Sequence, residues 1–338
     1  MDDSTQFNVA EILSLLVDSK DISSDQASFM MQQILNNNLE EVQLAAFITL
    51  LRSKGETVEE LTGLVNSMWD NMPDFDAPNI EMLDTCGTGG DNSNTFNIST
   101  AVALTLSAAG IPVAKHGNRA ASSVCGAADV LEELSISINL SPQQCIERIN
   151  ETGFTFLFAP TFHPGMRFAG PVRKKLGVRT TFNFLGPLAN PFKAQYRMHG
   201  VSDERIVNIY IETLKALGVK KAFVFTGHSG LDEISLSGVT NGKLLDNGEI
   251  KDHQVDPGEI DIALASVDAL IGGDVVTNAE IIKDIAKGEE SPRRDVVILN
   301  SAVALDMVTG IGMEEAAKTV REVISSGKLA EKIKQLSK

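Results

Sequence analysis

The chain has 338 residues, of which 43% are hydrophobic and 22% charged, and a formal net charge of −16. That length suits two domains or one large domain with an appendage, and the composition is that of a globular chain with ample core. The acidic balance argues against a nucleic-acid or anionic-membrane surface, no apolar run approaches a membrane span, and three cysteines (Cys86, Cys125, Cys145) make neither a disulfide framework nor a zinc site.

The opening Met1-Asp2-Asp3-Ser4 lacks the character of a signal or transit peptide. Together with the sparse cysteines it sets the expectation of a reduced, cytoplasmic protein. The first 70 residues read as helices. Leu44, Phe47, Ile48 and Leu51 form one apolar stripe, which stops at Lys54-Gly55. Thr57-Val58-Glu59-Glu60 is a capping box leading into a second stripe of Leu61, Leu64, Val65 and Met68. These stripes exceed the needs of one small bundle, so they serve either a dimer contact or packing on the rest of the chain.

After Pro78 the pattern alternates between strand and helix. Met82–Thr85 reads as a strand, Ser99–Ala109 as a helix ending at Gly110, and Ile111–Ala114 as a buried strand with Pro112 near an edge or its start. Helices are expected over Ala127–Leu134 and from Ser141-Pro142 to Gly153, then over Asp203–Leu217 before a strand Ala222–Thr226. Further helices fill 278–287, 294–307 and 314–336. The resulting fold class is α/β: a small N-terminal helical domain plus a larger domain with a central, mostly parallel sheet flanked by helices. The expected division is 1–75, completed by helices within 165–190, and 76–338.

Acidic residues are absent from 92–128 and again from 152–202, while Lys115, Arg119, Arg167, Arg173, Lys174, Lys175, Arg179, Lys193 and Arg197 remain there. Burial alone removes charge of both signs. A surviving basic set favours a site for an anion. Within it, Asp84-Thr85-Cys86-Gly87-Thr88-Gly89-Gly90-Asp91 is a glycine turn after a strand, of a kind that serves as a tight connection as often as a phosphate loop. It is neither a Walker A loop nor a dinucleotide fingerprint. Asn97-Ile98-Ser99-Thr100 opens a helix, where hydroxyls either cap the backbone or join its N–H groups around an anion. Lys115-His116-Gly117-Asn118-Arg119 lies at a strand's C-terminal end, the usual ligand edge of such sheets. His116 reads by itself as a structural hydrogen-bonder.

These segments, with Ser122-Ser123 and with Arg179-Thr180, Asn183, Leu185-Gly186-Pro187-Leu188 and Asn190-Pro191 downstream, resemble the anthranilate phosphoribosyltransferase family of the class III-like phosphoribosyltransferases. The likeness runs from Leu51-Arg52-Ser53-Lys54-Gly55 to Asn300-Ser301-Ala302, in matching order and spacing. It implies transfer of phosphoribose from phosphoribosyl pyrophosphate to the amine of anthranilate, and a homodimer joined through the helical domain. It places phosphoribosyl pyrophosphate on Gly87, Gly90, Asp91, Thr95, Asn97, Ile98, Ser99, Thr100, Lys115, His116, Gly117, Asn118, Arg119, Ala120, Ala121, Ser122, Ser123 and Ala127. It places anthranilate on Gly87, Asn118, His163, Pro164 and Arg173, and two Mg2+ ions on Ser99, Asp232 and Glu233. No residue is assigned as general acid or base. Val124 and Ala127 depart from the family's usual basic residue and serine, and Asn92 and Asn94 stand where glycines are common. Asparagine tolerates left-handed φ, so the turn is expected to survive. The rival readings are a pyrimidine-nucleoside phosphorylase, which needs a Lys-x-Ser-Gly-Arg-like segment that this sequence lacks, a homologue with another acceptor, and a non-catalytic anion binder.

Overall fold

The computed structural model describes residues 7–120 and 124–337. Four helices come first: Val9–Val17 (α1), Ser24–Leu35 (α2), Glu41–Lys54 (α3) and Val58–Asp70 (α4). Thr57 caps α4 as its sequence requires, its hydroxyl accepting from the Glu60 N–H while the Glu60 carboxylate accepts from the Thr57 N–H. Both apolar stripes are spent inside the chain. Phe47, Ile48, Leu51, Leu61, Leu64 and Val65 are fully buried in a cluster shared with Ala169, Val172, Phe182, Leu185 and Leu188. Packing within the chain thus accounts for these stripes without a second subunit.

The rest of the chain builds one seven-stranded sheet. In order of sequence it contains Leu83–Gly87 (β1), Ile98–Ala108 (α5), Val113–Gly117 (β2), Ala127–Glu133 (α6), Pro142–Thr152 (α7) and Phe154–Phe158 (β3). Short helices Ala159–Phe162 (α8), Gly170–Leu176 (α9) and Phe182–Leu188 (α10) precede Tyr196–Gly200 (β4), Val207–Ala216 (α11) and Lys221–Thr226 (β5). Thr240–Asp246 (β6), Glu249–Val255 (β7), Val275–Ala286 (α12), Pro292–Thr309 (α13), Met313–Ser325 (α14) and Lys328–Leu336 (α15) complete it. The spatial order is β3-β2-β1-β4-β5-β6-β7, parallel through β5 and antiparallel thereafter.

Alternation along β5 shows why both faces are covered. Phe223 and Phe225 enter the cluster around α5 and α13, whereas Ala222 and Val224 enter the cluster shared with the N-terminal helices. Several expected boundaries move. β2 starts after Pro112 and runs on through Lys115, His116 and Gly117, because these pair with Phe156, Leu157 and Phe158 of β3. It is therefore an interior strand, and Pro112 marks its start and not an edge. The expected helix 314–336 is two helices, divided at Gly327 with φ +83°. The β6–β7 hairpin has no counterpart among the sequence expectations, although its Asn247-Gly248 turn, both residues at positive φ, is a strong hairpin signal.

A buried polar knot ties the central strands together beneath their C-terminal ends. Asp84 is fully buried. One carboxylate oxygen accepts from the His116 N–H of β2 at 3.1 Å, and the other accepts from Asn190 at 2.8 Å and from Arg197 of β4 at 3.0 Å. Asn190 also donates to the Ala114 carbonyl at 2.8 Å. Burial pushes the Asp84 carboxyl up, but the neighbouring His199, Arg197 and Lys115 outweigh it and hold the group well below the usual carboxylate range. Removing one partner strands the other charge in a dry place. Arg197→Ala is therefore expected to lower stability by about 3–5 kcal/mol, read from the urea midpoint. Arg205→Ala, whose side chain is 85% exposed beside Asp203, is expected to lower it by less than ~1 kcal/mol.

Candidate functional site

The order of the strands puts a topological switch point between β1 and β4, where the chain leaves the sheet in opposite directions. Three neighbouring strands terminate in glycine there: Gly87 on β1, Gly200 paired with it on β4, and Gly227 just beyond β5. The segment Leu231-Asp232-Glu233 lies across all three. A Cβ on Gly200 would stand 1.8 Å from the Asp232 carbonyl oxygen, one on Gly227 2.1 Å from that of Glu233, and one on Gly87 2.2 Å from the Asp232 carboxylate. Glycine is thus required by close approach at each strand end.

This strap delivers two carboxylates into the crevice. Asp232 accepts from the Gly89 N–H at 2.7 Å, and Glu233 accepts from the Ser99 N–H, in the first turn of α5, at 3.0 Å. Burial, then the charge of Asp91, raises the Asp232 carboxyl to about 7. Burial, then Asp232, pushes Glu233 well above its ordinary value. Asp91 Oδ1 accepts from the Ser93 N–H, while its buried Oδ2 has no donor among the described residues. Mutually repelling carboxylates with an unsatisfied oxygen are the environment a hard divalent cation relieves. Among the described residues no three His, Cys, Asp or Glu side chains converge as a cage. Oxygen donors of this kind suit magnesium, which takes few protein carboxylates and keeps water and phosphate oxygens, better than a zinc-like ion.

The glycine turn carries Gly89 and Gly90 at φ +70° and +76°, and Asn92 and Asn94 follow at +59° and +54°. Asparagine supports the left-handed conformation, as expected. Thr95 bridges to Ile271 through its backbone, and the Asn97 amide spans the Cys125 carbonyl and Asn278. Ile98 is fully buried and Thr100 nearly so, its hydroxyl without a partner. Lys115, 1% exposed, donates to the Thr85 carbonyl at 2.5 Å and to Ser99 Oγ at 3.2 Å.

At the end of β2, Gly117 lies against the Phe156 ring, and Asn118 just beyond it is exposed. Asp129 accepts from the Ala120 and Gly126 N–H groups, and Ala127 begins α6. The expected site residues Ala121, Ser122 and Ser123 lie outside the described residues. Val124 is 66% exposed. Arg119 forms a two-pronged pair with Glu132 and a further bond to Asp129. The acid-free stretch ends just where those partners begin.

The basic set as a whole is divided among several tasks. Arg197 belongs to the buried knot, Lys175 pairs with Glu41, Lys193 lies over Trp69 and Arg167 over Phe168. Its reading as one anion site is corrected accordingly. Arg173 stands apart: on α9 it is partly buried, which lowers its pKa, and no described side chain pairs with it. His163 and Pro164 line a cavity of ≈ 230 Å³ with Leu35, Met68, Arg167 and Phe168, a cavity that does not include Arg173. The His163 and His116 rings meet edge to face at 5.4 Å, and a nitrogen of each bonds a carbonyl, that of Ala189 and of Gly186 respectively. Burial, chiefly, lowers them to about 4 and about 3.

Comparison with known proteins agrees with this architecture. The helical bundle domain of the glycosyl transferase family matches residues 10–72, and that family's a/b domain matches 79–330. An anthranilate phosphoribosyltransferase of Methanocorpusculum labreanum is 42% identical over 330 residues, 97% of each chain. One from Acetivibrio thermocellus is 43% identical, covering 95% of this chain and 93% of that one. The crystal structure of anthranilate phosphoribosyltransferase from Thermus thermophilus superposes with a TM-score of 0.89 at 33% identity, over 96% of this chain and 98% of that one. The Saccharomyces cerevisiae enzyme in complex with PRPP and Mg gives 0.88 at 26% identity, over 97% and 96%. The chain belongs to the glycosyl transferase family, among its anthranilate phosphoribosyltransferases.

Gly200→Ala forces a side chain into backbone, so a loss of about 1–3 kcal/mol is expected from the urea midpoint. Gly186→Ala, where an added Cβ meets nothing within 4 Å, is expected to be neutral or to stabilise by up to about 1 kcal/mol. The two imidazoles are held neutral below their unfolded pKa, so their contribution is complete above about pH 6.5 and is lost as pH falls towards about 4 and 3. Between about pH 7 and 5 the wild-type unfolding free energy from urea titration should fall more steeply than that of His163→Gln, by up to about 1.4 kcal/mol per pH unit for the imidazole removed.

Proposed function

We propose that the chain transfers the phosphoribosyl group of 5-phosphoribosyl 1-pyrophosphate to the amine of anthranilate, giving N-(5-phosphoribosyl)anthranilate and pyrophosphate, the second step of tryptophan biosynthesis from chorismate. The observation that carries this reading is the placement of Asp232, Glu233 and the unsatisfied Asp91 oxygen against a glycine turn and the start of α5. That combination suits a diphosphate and its counter-cation.

The diphosphate lies on Gly87, Gly90, Asp91, Thr95, Asn97, Ile98, Ser99 and Thr100 along one wall, and on Lys115, His116, Gly117, Asn118, Ala120 and Ala127 along the other. Arg119 joins them only by leaving Glu132 and Asp129. Ser99, Asp232 and Glu233 hold magnesium, two ions in this reading, which when bound offsets negative charge on the diphosphate. A solved relative, the yeast enzyme, contains both PRPP and Mg.

As the bond at C1 of the ribose breaks, negative charge grows on the departing pyrophosphate and the sugar takes on oxocarbenium character. Lys115, already dry and held by Thr85 and Ser99, and the backbone N–H groups of the turn stabilise that charge without reorganising. Arg173 receives the acceptor's carboxylate, for which a partly desolvated guanidinium with no partner among the described side chains is well suited. In this reading Asn118 and Gly87 complete the acceptor site, and His163 and Pro164 serve its approach. The two histidines are neutral and so place no positive charge near the amine. That amine is a neutral aniline and needs no general base to attack; its proton leaves afterwards. Val124 and Ala127 bring no charge or hydroxyl to the donor side. The protein acts as a cytoplasmic homodimer joined through its N-terminal helices in this reading, and among the described residues no helix is long and apolar enough to cross a membrane.

Mixing the protein with magnesium, phosphoribosyl pyrophosphate and anthranilate should extinguish anthranilate fluorescence; no change beside an active control enzyme would sink the proposal. Arg173→Ala should raise the anthranilate KM roughly 10- to 100-fold, the equivalent of a lost charged hydrogen bond, and that of the donor far less. The reverse pattern would remove Arg173 from the acceptor site.

A further inference from the structure

We propose that Arg179 is a positioning residue for the donor, holding the glycine turn in the one orientation that presents its backbone N–H groups to a diphosphate; this rests on the reaction proposed above. Arg179 Nη1 donates to the Gly90 carbonyl at 2.9 Å and to Ser202 Oγ at 2.8 Å, and Nη2 donates to the Gly89 carbonyl at 2.9 Å. Ser202 Oγ adds a second bond to the Gly89 carbonyl at 3.0 Å. Its own N–H donates to Thr88 Oγ1 at 3.3 Å, while the Thr88 N–H donates to the Gly200 carbonyl at 3.0 Å. Two consecutive carbonyls are thus drawn to one guanidinium.

Peptide planarity then fixes the other side of the turn. In a trans peptide the C=O and N–H point in opposite directions. Fixing the Gly89 and Gly90 carbonyls on Arg179 therefore turns the N–H groups of Gly90 and Asp91 the other way. Neither N–H has an acceptor among the described residues, whereas the preceding Gly89 N–H is taken by Asp232. Successive unpaired N–H groups beside left-handed residues form an anion nest. Gly90 is fitted to its holder as well, since a Cβ there would stand 2.7 Å from Arg179 Nη1. Without the guanidinium, the two glycines leave this turn free to flip its peptides.

The decisive comparison is Arg179→Ala and Arg179→Lys against the wild type, with circular dichroism melting as the folding control. In Arg179→Ala the donor KM should rise about tenfold or more, with kcat and the anthranilate KM within about threefold, and millimolar ethylguanidinium should restore donor binding. Lysine, unable to bridge both carbonyls, should give a smaller but definite rise. Amide hydrogen exchange over residues 88–94 should quicken in Arg179→Ala, and calorimetry should show weaker binding of magnesium pyrophosphate. An unchanged donor KM, a fall in kcat alone, or unchanged exchange would overturn the assignment. Inactivity of the wild type would instead remove the proposed reaction, leaving hydrogen exchange and pyrophosphate binding to decide the role of Arg179.

Discussion

The site depends on one close approach: the backbone of residues 231–233 lying on the ends of β1, β4 and β5. Three glycines make it possible, and no side-chain rearrangement could substitute for them, because the atoms they avoid are mostly backbone oxygens. From that contact follow the reach of Asp232 to the glycine turn and of Glu233 to the start of α5. A sheet, a turn and a helix terminus become one object.

Two buried charge arrangements sit close together and work in opposite senses. Around Asp84, every acid oxygen meets a donor, and the group stays ionised in a dry interior. Around Asp232, the carboxyl oxygens of Asp91, Asp232 and Glu233 outnumber the N–H groups that reach them, and both strap carboxyls are pushed upward. The first arrangement sets the register of the floor. The second stores an unfavourable interaction that a cation can relieve, so binding energy is available where it is needed.

Much of this was legible in the sequence, and the reasons are local. A capping box at Thr57, glycine at the ends of helices, and Asn92 and Asn94 in place of glycine each state a backbone preference that the structure follows. The family motifs indicated which segments meet. Pairings that depend on tertiary placement were less legible. Nothing in the spacing of Arg119 and Glu132 shows that the two side chains meet, and nothing in Arg197 shows that a charged residue on a strand faces a buried aspartate. Arg179 was visible as a motif residue, but its target, the carbonyls of residues 89 and 90, is defined only once the turn is folded.

The strand order carries a consequence for the living ribosome. β1 is the middle of the parallel sheet, yet its neighbour β4 begins at Tyr196, after β2 and β3 have been made. A growing chain can pair one side of β1 early, but the other side stays open until more than a hundred further residues have emerged. During that interval Leu83–Gly87 is an unpaired edge of the kind that recruits other chains, and closing it requires a long loop. The feature that gives the folded enzyme its crevice is therefore also a markedly non-local strand pairing, closed only after a long stretch of chain.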